Sequence, residues 1–216
     1  MCTVPKVGSS TWRKFMLYLD FPELASSSGQ RKYARKYGVA SPDAHNISKN
    51  GVKLMALQSP QRALEYYNDK TYLKVFHVRN PVTRVLSAWL SKNAVSSNPL
   101  PFAMHSPTFT HFIQNLSSSK IDLSKADGHI RFQHTFCDYD RGAHYDIYLK
   151  FENRFHWGWH LLNHLHLETD PIFIDFVKTS QKPFKGADTT AVILQHYTVD
   201  TFNIVKDMYR KDIEYF

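Results

Sequence analysis

The segment PKVGSSTW, residues 5–12, places a lysine, a glycine and three hydroxyl side chains where a helix is predicted to begin. The first N–H groups of a helix have no intrahelical partner, and the helix dipole is positive at that end. Gly8 allows close approach to the backbone, and Lys6 adds a mobile charge. The pattern favours a phosphate-type site, although an amphipathic helix capped by Ser9 or Ser10 beside an incidental lysine explains it equally well.

A second group of the same kind lies in FHVRNPVTRVLSAWLSK, residues 76–92. Arg79 ends a predicted strand, while Arg84 and Ser87 lie on the helix that follows. An arginine fork together with a hydroxyl suits a phosphate dianion, although an arginine paired with a surface carboxylate is a common alternative. Neither group contains the G-x-x-x-x-G-K order of a Walker A loop.

Hydrophobic periodicity predicts the elements that position these residues. MCTV reads as the end of a strand, TYLKVFHV (71–78) and YDIYLKF (145–151) as further strands. Apolar residues at helical spacing predict helices beginning near Ser10 and Pro81, with the inward faces Trp12, Phe15, Met16, Leu19 and Val82, Val85, Leu86, Trp89. TFTHFIQNL, NRFHWGWHLLNHLHL and a last segment around 190–210 are predicted to be helical. This alternation predicts an α/β domain with a mainly parallel central sheet flanked by helices.

Composition and charge narrow the class of protein. The 216 residues contain 43% hydrophobic side chains and fit one globular domain over residues 1–216. The net charge of +8 favours anionic partners without choosing among nucleotides, nucleic acid, membranes and acidic polysaccharides. Two cysteines, Cys2 and Cys137, imply no disulfide framework. No apolar run approaches the ~18 residues of a membrane helix.

The motifs of both groups resemble those of the Golgi carbohydrate sulfotransferases, the group that includes the chondroitin/dermatan 4-O-sulfotransferases and the HNK-1 sulfotransferase. PKVGSSTW is similar to the family's PKVxxTNW loop, and the second segment to its VRxPFxRLxSAYxxK element. DAHNISKNGVKLMALQ, HIRFQHTFC with HYDIYLKFE, and IVKDMYRKDIEYF resemble later family blocks, so the likeness spans nearly the whole chain.

The resemblance also has departures. Thr11 stands where the family has asparagine, and Asp140 stands near the place of a second cysteine after Cys137, so the family's CxxC bridge cannot form. The family's KSTR loop is KTSQ here, residues 178–181, without its arginine. The family's stem and membrane anchor do not precede these motifs, and we expect that the chain lacks them.

The resemblance implies a P-loop-like sulfotransferase fold, Golgi localisation through the missing anchor, and the co-substrate 3′-phosphoadenosine 5′-phosphosulfate, with no metal. It implies that the acceptor is a glycan, with an anionic polysaccharide as the leading candidate, and that nucleic acid is not a partner. The expected ligands of the 5′-phosphosulfate are Lys6, Gly8, Ser9, Ser10, Thr11 and Trp12. Those expected for the 3′-phosphate are Arg79 and Ser87.

Lys6 is also expected to act in catalysis by neutralising the leaving phosphate. For the base that takes the sugar proton, the resemblance points to His45, and His129 is the alternative base or an acceptor-binding residue. His77, inside a strand, is predicted to be a core residue. The stripe His156, His160, His164 has zinc-like i, i+4 spacing but no HExxH order, so we predict a surface helix.

Two other classes of function remain open at the level of the sequence. A P-loop-like phosphotransferase would need a Walker lysine and an acidic Mg²⁺ ligand, and the sequence offers neither pattern. A relative that binds nucleotide or glycan without turnover fits the lost loop arginine. Two glycosylation sequons, at Asn46 and Asn115, are weak support for a secretory compartment.

Overall fold

The computed structural model describes residues 1–26, 28–30, 60–92, 106–119, 121–180 and 189–216. In chain order its strands and helices are β1 (Cys2–Thr3), α1 (Ser9–Asp20), α2 (Pro60–Asn68), β2 (Val75–Val78), α3 (Pro81–Lys92), α4 (Phe109–Ser118), β3 (Ile147–Lys150), α5 (Arg154–His164), α6 (Pro171–Ser180), α7 (Thr189–His196), α8 (Val199–Met208) and α9 (Arg210–Tyr215). Short 3₁₀ turns span Pro22–Ala25, Gln133–Thr135, Tyr139–Arg141 and Phe151–Asn153.

The chain groups into two compact units. The sheet unit comprises Met1–Val7, Val75–Glu152 and Pro183–Phe216, and the helical unit comprises Gly8–Lys74 and Asn153–Lys182. The prediction of one domain over residues 1–216 stays a prediction.

The sheet unit is built on a small parallel sheet. Within the described residues it has three strands in the order β1-β2-β3, and both pairings are parallel. Thr3 lies opposite His77, and Val78 opposite Lys150. The mainly parallel sheet is thus confirmed, but helices make up most of the described residues. Strand β2 is shorter than the predicted 71–78, because Thr71 folds back in a turn and donates its N–H to Asp69 at 2.8 Å.

The core of the sheet unit lies between α3, α4 and α8. All four residues of the predicted α3 face, Val82, Val85, Leu86 and Trp89, are buried and join Phe112 and Val205 of the other two helices. The segment predicted as one helix around 190–210 is divided into α7, α8 and the start of α9. Helix α8 begins anew because Thr198 and Thr201 form a reciprocal capping box.

Helices α1 and α6 share an aromatic core in the helical unit. Phe15 packs edge-on against Phe173 with ring centroids 5.3 Å apart, and Tyr18 against Phe176 at 5.8 Å. Helix α1 is confirmed, but its buried face is wider than predicted, since Leu17 and Tyr18 are also buried while Met16 and Leu19 are half-buried. Helix α6 was not predicted.

Two further observations concern localisation signals. Among the residues that the structure describes, no helix is long and apolar enough to cross a membrane. The sequon residue Asn115 lies within α4, where its side-chain amide donates a hydrogen bond to Ser106 Oγ at 3.3 Å. Asn46 lies outside the described residues.

Candidate functional site

Lys6 and Arg79, one residue from each predicted anion-binding group, lie at one edge of the sheet. Strand β1 leads into Lys6 and strand β2 into Arg79, and parallel pairing brings the carboxyl ends of neighbouring strands to the same edge. There the Nη1 atom of Arg79 donates a hydrogen bond to the main-chain oxygen of Lys6 at 2.9 Å. The two strand ends that the sequence singled out, at Lys6 and Arg79, therefore lie together in the sheet unit.

Arg79 is held on several sides. The side-chain amide of Gln133 bonds both main-chain groups of Arg79, accepting from its N–H at 2.9 Å and donating to its carbonyl at 2.7 Å. The guanidinium donates from Nε to Thr83 Oγ1 at 3.0 Å and lies 4.5 Å from the ring centroid of Phe151, which follows β3. Gln133 was not among the residues predicted from the sequence, because its contact with Arg79 exists only in the folded chain.

Gln133 is in turn fixed by the C-terminal helix α9. Its N–H donates to Oδ2 of Asp212 at 2.7 Å, and Oδ1 of the same carboxylate accepts from the N–H of His134 at 3.0 Å and from its ring nitrogen Nδ1 at 2.6 Å. Gln133 and Asp212 are both fully buried. Asp212 thus supports Arg79 through one intermediate residue.

Lys6 lies among other cations. Its ammonium donates a hydrogen bond to Ser91 Oγ at the end of α3. Burial lowers the pKa of Lys6, and the charges of Lys92 and Arg79 lower it further. Since these cations repel one another, an anion bound among them would be stabilised. Lys6 also has a φ of 71°, in the left-handed region that non-glycine residues adopt uncommonly.

Helix α1 begins differently from the prediction. Its N-cap is Gly8, in the left-handed region at φ 75°, and no side chain caps it. The predicted caps Ser9 and Ser10 are instead the first residues of the helix, because glycine adopts this φ without strain. The Gly8 carbonyl accepts from the N–H groups of Thr11 at 3.0 Å and Trp12 at 3.2 Å. The first turn of α1 therefore has an N-terminus without a side-chain cap, and the N–H groups of such an end can bind an anion.

Trp12 and Ser87 lie in different surroundings. The Trp12 ring is buried in the core of the helical unit, 5.7 Å from the ring of Phe15. Ser87 is half-buried on α3, two turns beyond the start of that helix. Their assignments as donor ligands stay predictions.

Arg84 is structural. It is fully buried, and its guanidinium donates to three main-chain oxygens, those of Pro5 at 3.1 Å, Arg131 at 2.8 Å and Gly128 at 2.8 Å. All three nitrogen atoms of the guanidinium, Nε, Nη1 and Nη2, therefore donate hydrogen bonds to the protein. This excludes the hypothesis that the guanidinium of Arg84 binds a phosphate.

His129 lies on the loop that Arg84 holds. Its ring nitrogen Nδ1 is 2.6 Å from Asp127 Oδ1, and its side chain is 27% exposed. Burial lowers the pKa of His129, Asp127 opposes this, and the charges of Lys92 and Lys6 add to the lowering. The charge of Lys6 is thus one of those that act on the His129 ring. His45 lies outside the described residues.

The other histidines follow their structural predictions. His77 is 1% exposed inside β2, as predicted for a core residue, and burial lowers its pKa to about 3. His156, His160 and His164 lie on the exposed side of α5. Across the described segments, no group of three or more His, Cys, Asp or Glu residues is arranged to hold a metal ion.

Cys2 and Cys137 form a disulfide, which the sequence left undecided. The bond joins β1 to the segment that follows the loop of His129. The missing CxxC partner is thus replaced by a cysteine 135 residues away in the chain.

Comparison with known proteins gives one family. A model described as the sulfotransferase family matches the chain over residues 1–216. Neither a search of curated proteins nor a search of solved structures returned a match.

Proposed function

The chain belongs to the sulfotransferase family, and from this premise we propose that it transfers a sulfuryl group from 3′-phosphoadenosine 5′-phosphosulfate to a sugar hydroxyl. The observation that carries the proposal is the hydrogen bond from Arg79 to the main-chain oxygen of Lys6. It joins the residue expected at the 3′-phosphate to the residue expected at the reacting sulfate. A P-loop-like fold for the whole chain is part of the same proposal.

The donor is proposed to lie along the carboxyl edge of the parallel sheet. The proposed ligands of the 5′-phosphosulfate are Lys6 and the residues that follow it in the chain, Gly8, Ser9, Ser10, Thr11 and Trp12. The 3′-phosphate is bound by Arg79 and Ser87. The arginine is suited to this because Gln133 and Phe151 already fix its backbone and its guanidinium, so little ordering is needed on binding.

Sulfuryl transfer depends on stabilisation of the developing negative charge more than on a covalent intermediate with the protein. As the sulfuryl group leaves, negative charge develops on the oxygen that bridges sulfur and the 5′-phosphate. Lys6 neutralises that charge. Because Arg79 and Lys92 repel its ammonium, the charged form of Lys6 is stabilised when an anion binds. Sulfuryl transfer of this kind does not require a metal.

A base must accept the proton of the attacking hydroxyl. His45 and His129 are the two candidates, and the second is supported because Arg84 bonds the carbonyls of both Pro5 and Gly128, the residues before Lys6 and His129.

The acceptor is proposed to be a glycosaminoglycan or a glycoprotein glycan. The net charge of +8 favours an anionic polysaccharide, because attraction between the surfaces accelerates encounter. The Golgi lumen is the location that we propose for this reaction.

The donor proposal is tested by ligand-induced stabilisation. Adenosine 3′,5′-bisphosphate should raise the Tm of the protein far more than AMP, since only the bisphosphate contacts both phosphate subsites. Equal shifts would contradict the 3′-phosphate site, and a larger shift with ATP and Mg²⁺ would favour a phosphotransferase. Sulfate transfer to desulfated glycosaminoglycans then tests turnover. Binding without transfer to any acceptor of the panel would favour a relative that only binds.

A further inference from the structure

The loop that carries His129 contains a carboxylate with no role in the proposed function so far. Oδ1 of Asp127 accepts two hydrogen bonds from the same residue, from the N–H of His129 at 2.9 Å and from its ring nitrogen Nδ1 at 2.6 Å. The backbone bond fixes the loop, and the ring bond fixes the imidazole. Together they define which ring nitrogen faces the carboxylate.

A second turn on the same loop shows which of these two hydrogen bonds belongs to the turn itself. Asp122 accepts the N–H of Ser124 at 2.9 Å and its hydroxyl at 2.6 Å, so the same i to i+2 turn is built there without a histidine. The backbone half of the Asp127 arrangement is thus an ordinary Asx turn. The ring contact is the additional feature, and it needs a chemical explanation.

The loop is held close to the residue expected to catalyse transfer. Arg84 bonds the carbonyl of Gly128, between Asp127 and His129, and with the same guanidinium the carbonyl of Pro5, next to Lys6. A Cβ atom on Gly128 would approach Pro5 Cγ to 3.1 Å, so the two loops are in direct contact. The loop that carries His129 is thereby held against the segment that leads to Lys6.

We propose that Asp127 is a positioning residue that holds the neutral His129 ring with its proton on Nδ1, so that Nε2 is the proton acceptor for the sugar hydroxyl. The inference rests on the proposed function. It adds the tautomer, the accepting atom and the carboxylate that stabilises the imidazolium formed.

The step balances without another reagent. The sugar oxygen forms a bond to sulfur while its proton passes to Nε2 of His129. The bond between sulfur and the 5′-phosphate oxygen breaks, and that oxygen keeps the electron pair. Its charge is neutralised by Lys6, and the imidazolium is paired with the Asp127 carboxylate.

The charged groups around the ring set the sign of the pH effects. Burial and the cations Lys92 and Lys6 lower the pKa of His129, and Asp127 alone among the groups acting on it raises that pKa. The hydrogen bonds from His129 likewise hold the pKa of Asp127 below its ordinary value against the effect of burial. Removing the carboxylate charge should therefore lower the pKa of His129 further.

The test compares Asp127→Asn with the matched control Asp122→Asn. Asparagine keeps an oxygen that can accept the backbone N–H, so both variants retain the turn while losing a charge. The quantity to measure is the ¹⁵N spectrum of the His129 side chain in the full chain. Its signals are assigned by comparison with the His129→Gln variant. The wild type should show neutral His129 protonated on Nδ1. Asp127→Asn should lower the pKa and shift the tautomer toward Nε2–H, and Asp122→Asn should change neither.

Kinetics supply the second readout. Asp127→Asn should lower kcat by about 10- to 10⁴-fold and move the acidic limb of kcat/KM to lower pH, with bisphosphate affinity retained. A wild-type ring protonated on Nε2, or equal effects of the two variants, would overturn the role of Asp127. Failure of the bisphosphate to stabilise the wild type would instead contradict the proposed function, and the ¹⁵N result would still decide the tautomer.

Discussion

Arg84 donates a hydrogen bond from Nη2 to the main-chain oxygen of Gly128 at 2.8 Å, although 44 residues separate them. The same guanidinium also bonds the carbonyl of Pro5, so one buried side chain joins the loops that precede Lys6 and His129. Its planar shape allows separate nitrogens to reach separate carbonyls, which a lysine cannot do. The relative placement of the two loops therefore depends on this residue.

Replacement of Arg84 by methionine should destabilise the fold strongly. It leaves three partly buried carbonyls without their donors, at a cost of about 1–3 kcal/mol for each group that water does not reach. We expect a loss of at least about 3 kcal/mol in the free energy of unfolding, measured by urea denaturation. Arg141→Met is the control, since Arg141 is 80% exposed and pairs with nearby Asp138. Similar stability in the two variants would show that the Arg84 bonds contribute little.

Lys6 and Arg79 should differ in kinetic phenotype. Lys6→Ala should lower kcat by about 10²–10³-fold, because the charge matters most when the leaving oxygen becomes negative. Arg79→Ala should mainly raise the KM for the donor, because the 3′-phosphate takes no part in bond breaking. Steady-state sulfate transfer with varied donor separates the two effects. Lys125→Ala, at a side chain that is 84% exposed, controls for the loss of positive charge. The same phenotype for Lys6→Ala and Arg79→Ala would contradict this division of roles.

The elements that carry the site could be predicted because their signals are local. A short run of β-forming residues followed by apolar residues at i, i+3, i+4 and i+7 predicts β2 and α3. Parallel pairing then brings Lys6 and Arg79 to one edge. The buried polar contacts could not be predicted in this way. Gln133 and Asp212 are 79 residues apart, and nothing near either residue indicates the other.

Errors at element ends have local physical causes. The serines after Gly8 are good helix caps, but the left-handed conformation of the glycine placed the cap one residue earlier. The division of the C-terminal helix depended on a capping box in which threonine replaces the usual Glu or Gln. The Asp-Gly step before His129 is a turn signal that would have indicated the Asp127 contact.

Loss of the disulfide should destabilise the fold without altering the site chemistry. Cys2 and Cys137 close a loop of 135 residues, for which chain entropy predicts an upper value of about 5 kcal/mol. We expect the Cys2→Ser/Cys137→Ser double variant to lose about 2–4 kcal/mol in the free energy of unfolding. Reductant should lower the stability of the wild type by the same amount and leave the double variant unchanged. A wild type insensitive to reductant would contradict the structural role of the bond.

The buried imidazole of His77 should make stability depend on pH. Burial lowers the pKa of His77 from 6.5 to about 3 in the folded chain, so below pH 6.5 the unfolded state binds a proton that the folded state does not. Stability is therefore fully present above pH 6.5 and falls as the pH drops toward 3, with a limiting slope of about 1.4 kcal/mol per pH unit.

Other titrating groups also contribute to that slope, so the measurement is a difference. His77→Val keeps a β-forming apolar residue in β2 and removes the titration. Urea unfolding of both proteins between pH 7.5 and about 4 should give a shallower pH dependence for the variant, whatever its absolute stability. The difference between the two slopes should vanish above pH 6.5, where the histidine is neutral in both states. Parallel curves over the whole range would mean that His77 is protonated alike in the folded and unfolded chains, and its burial in β2 would then carry no electrostatic cost.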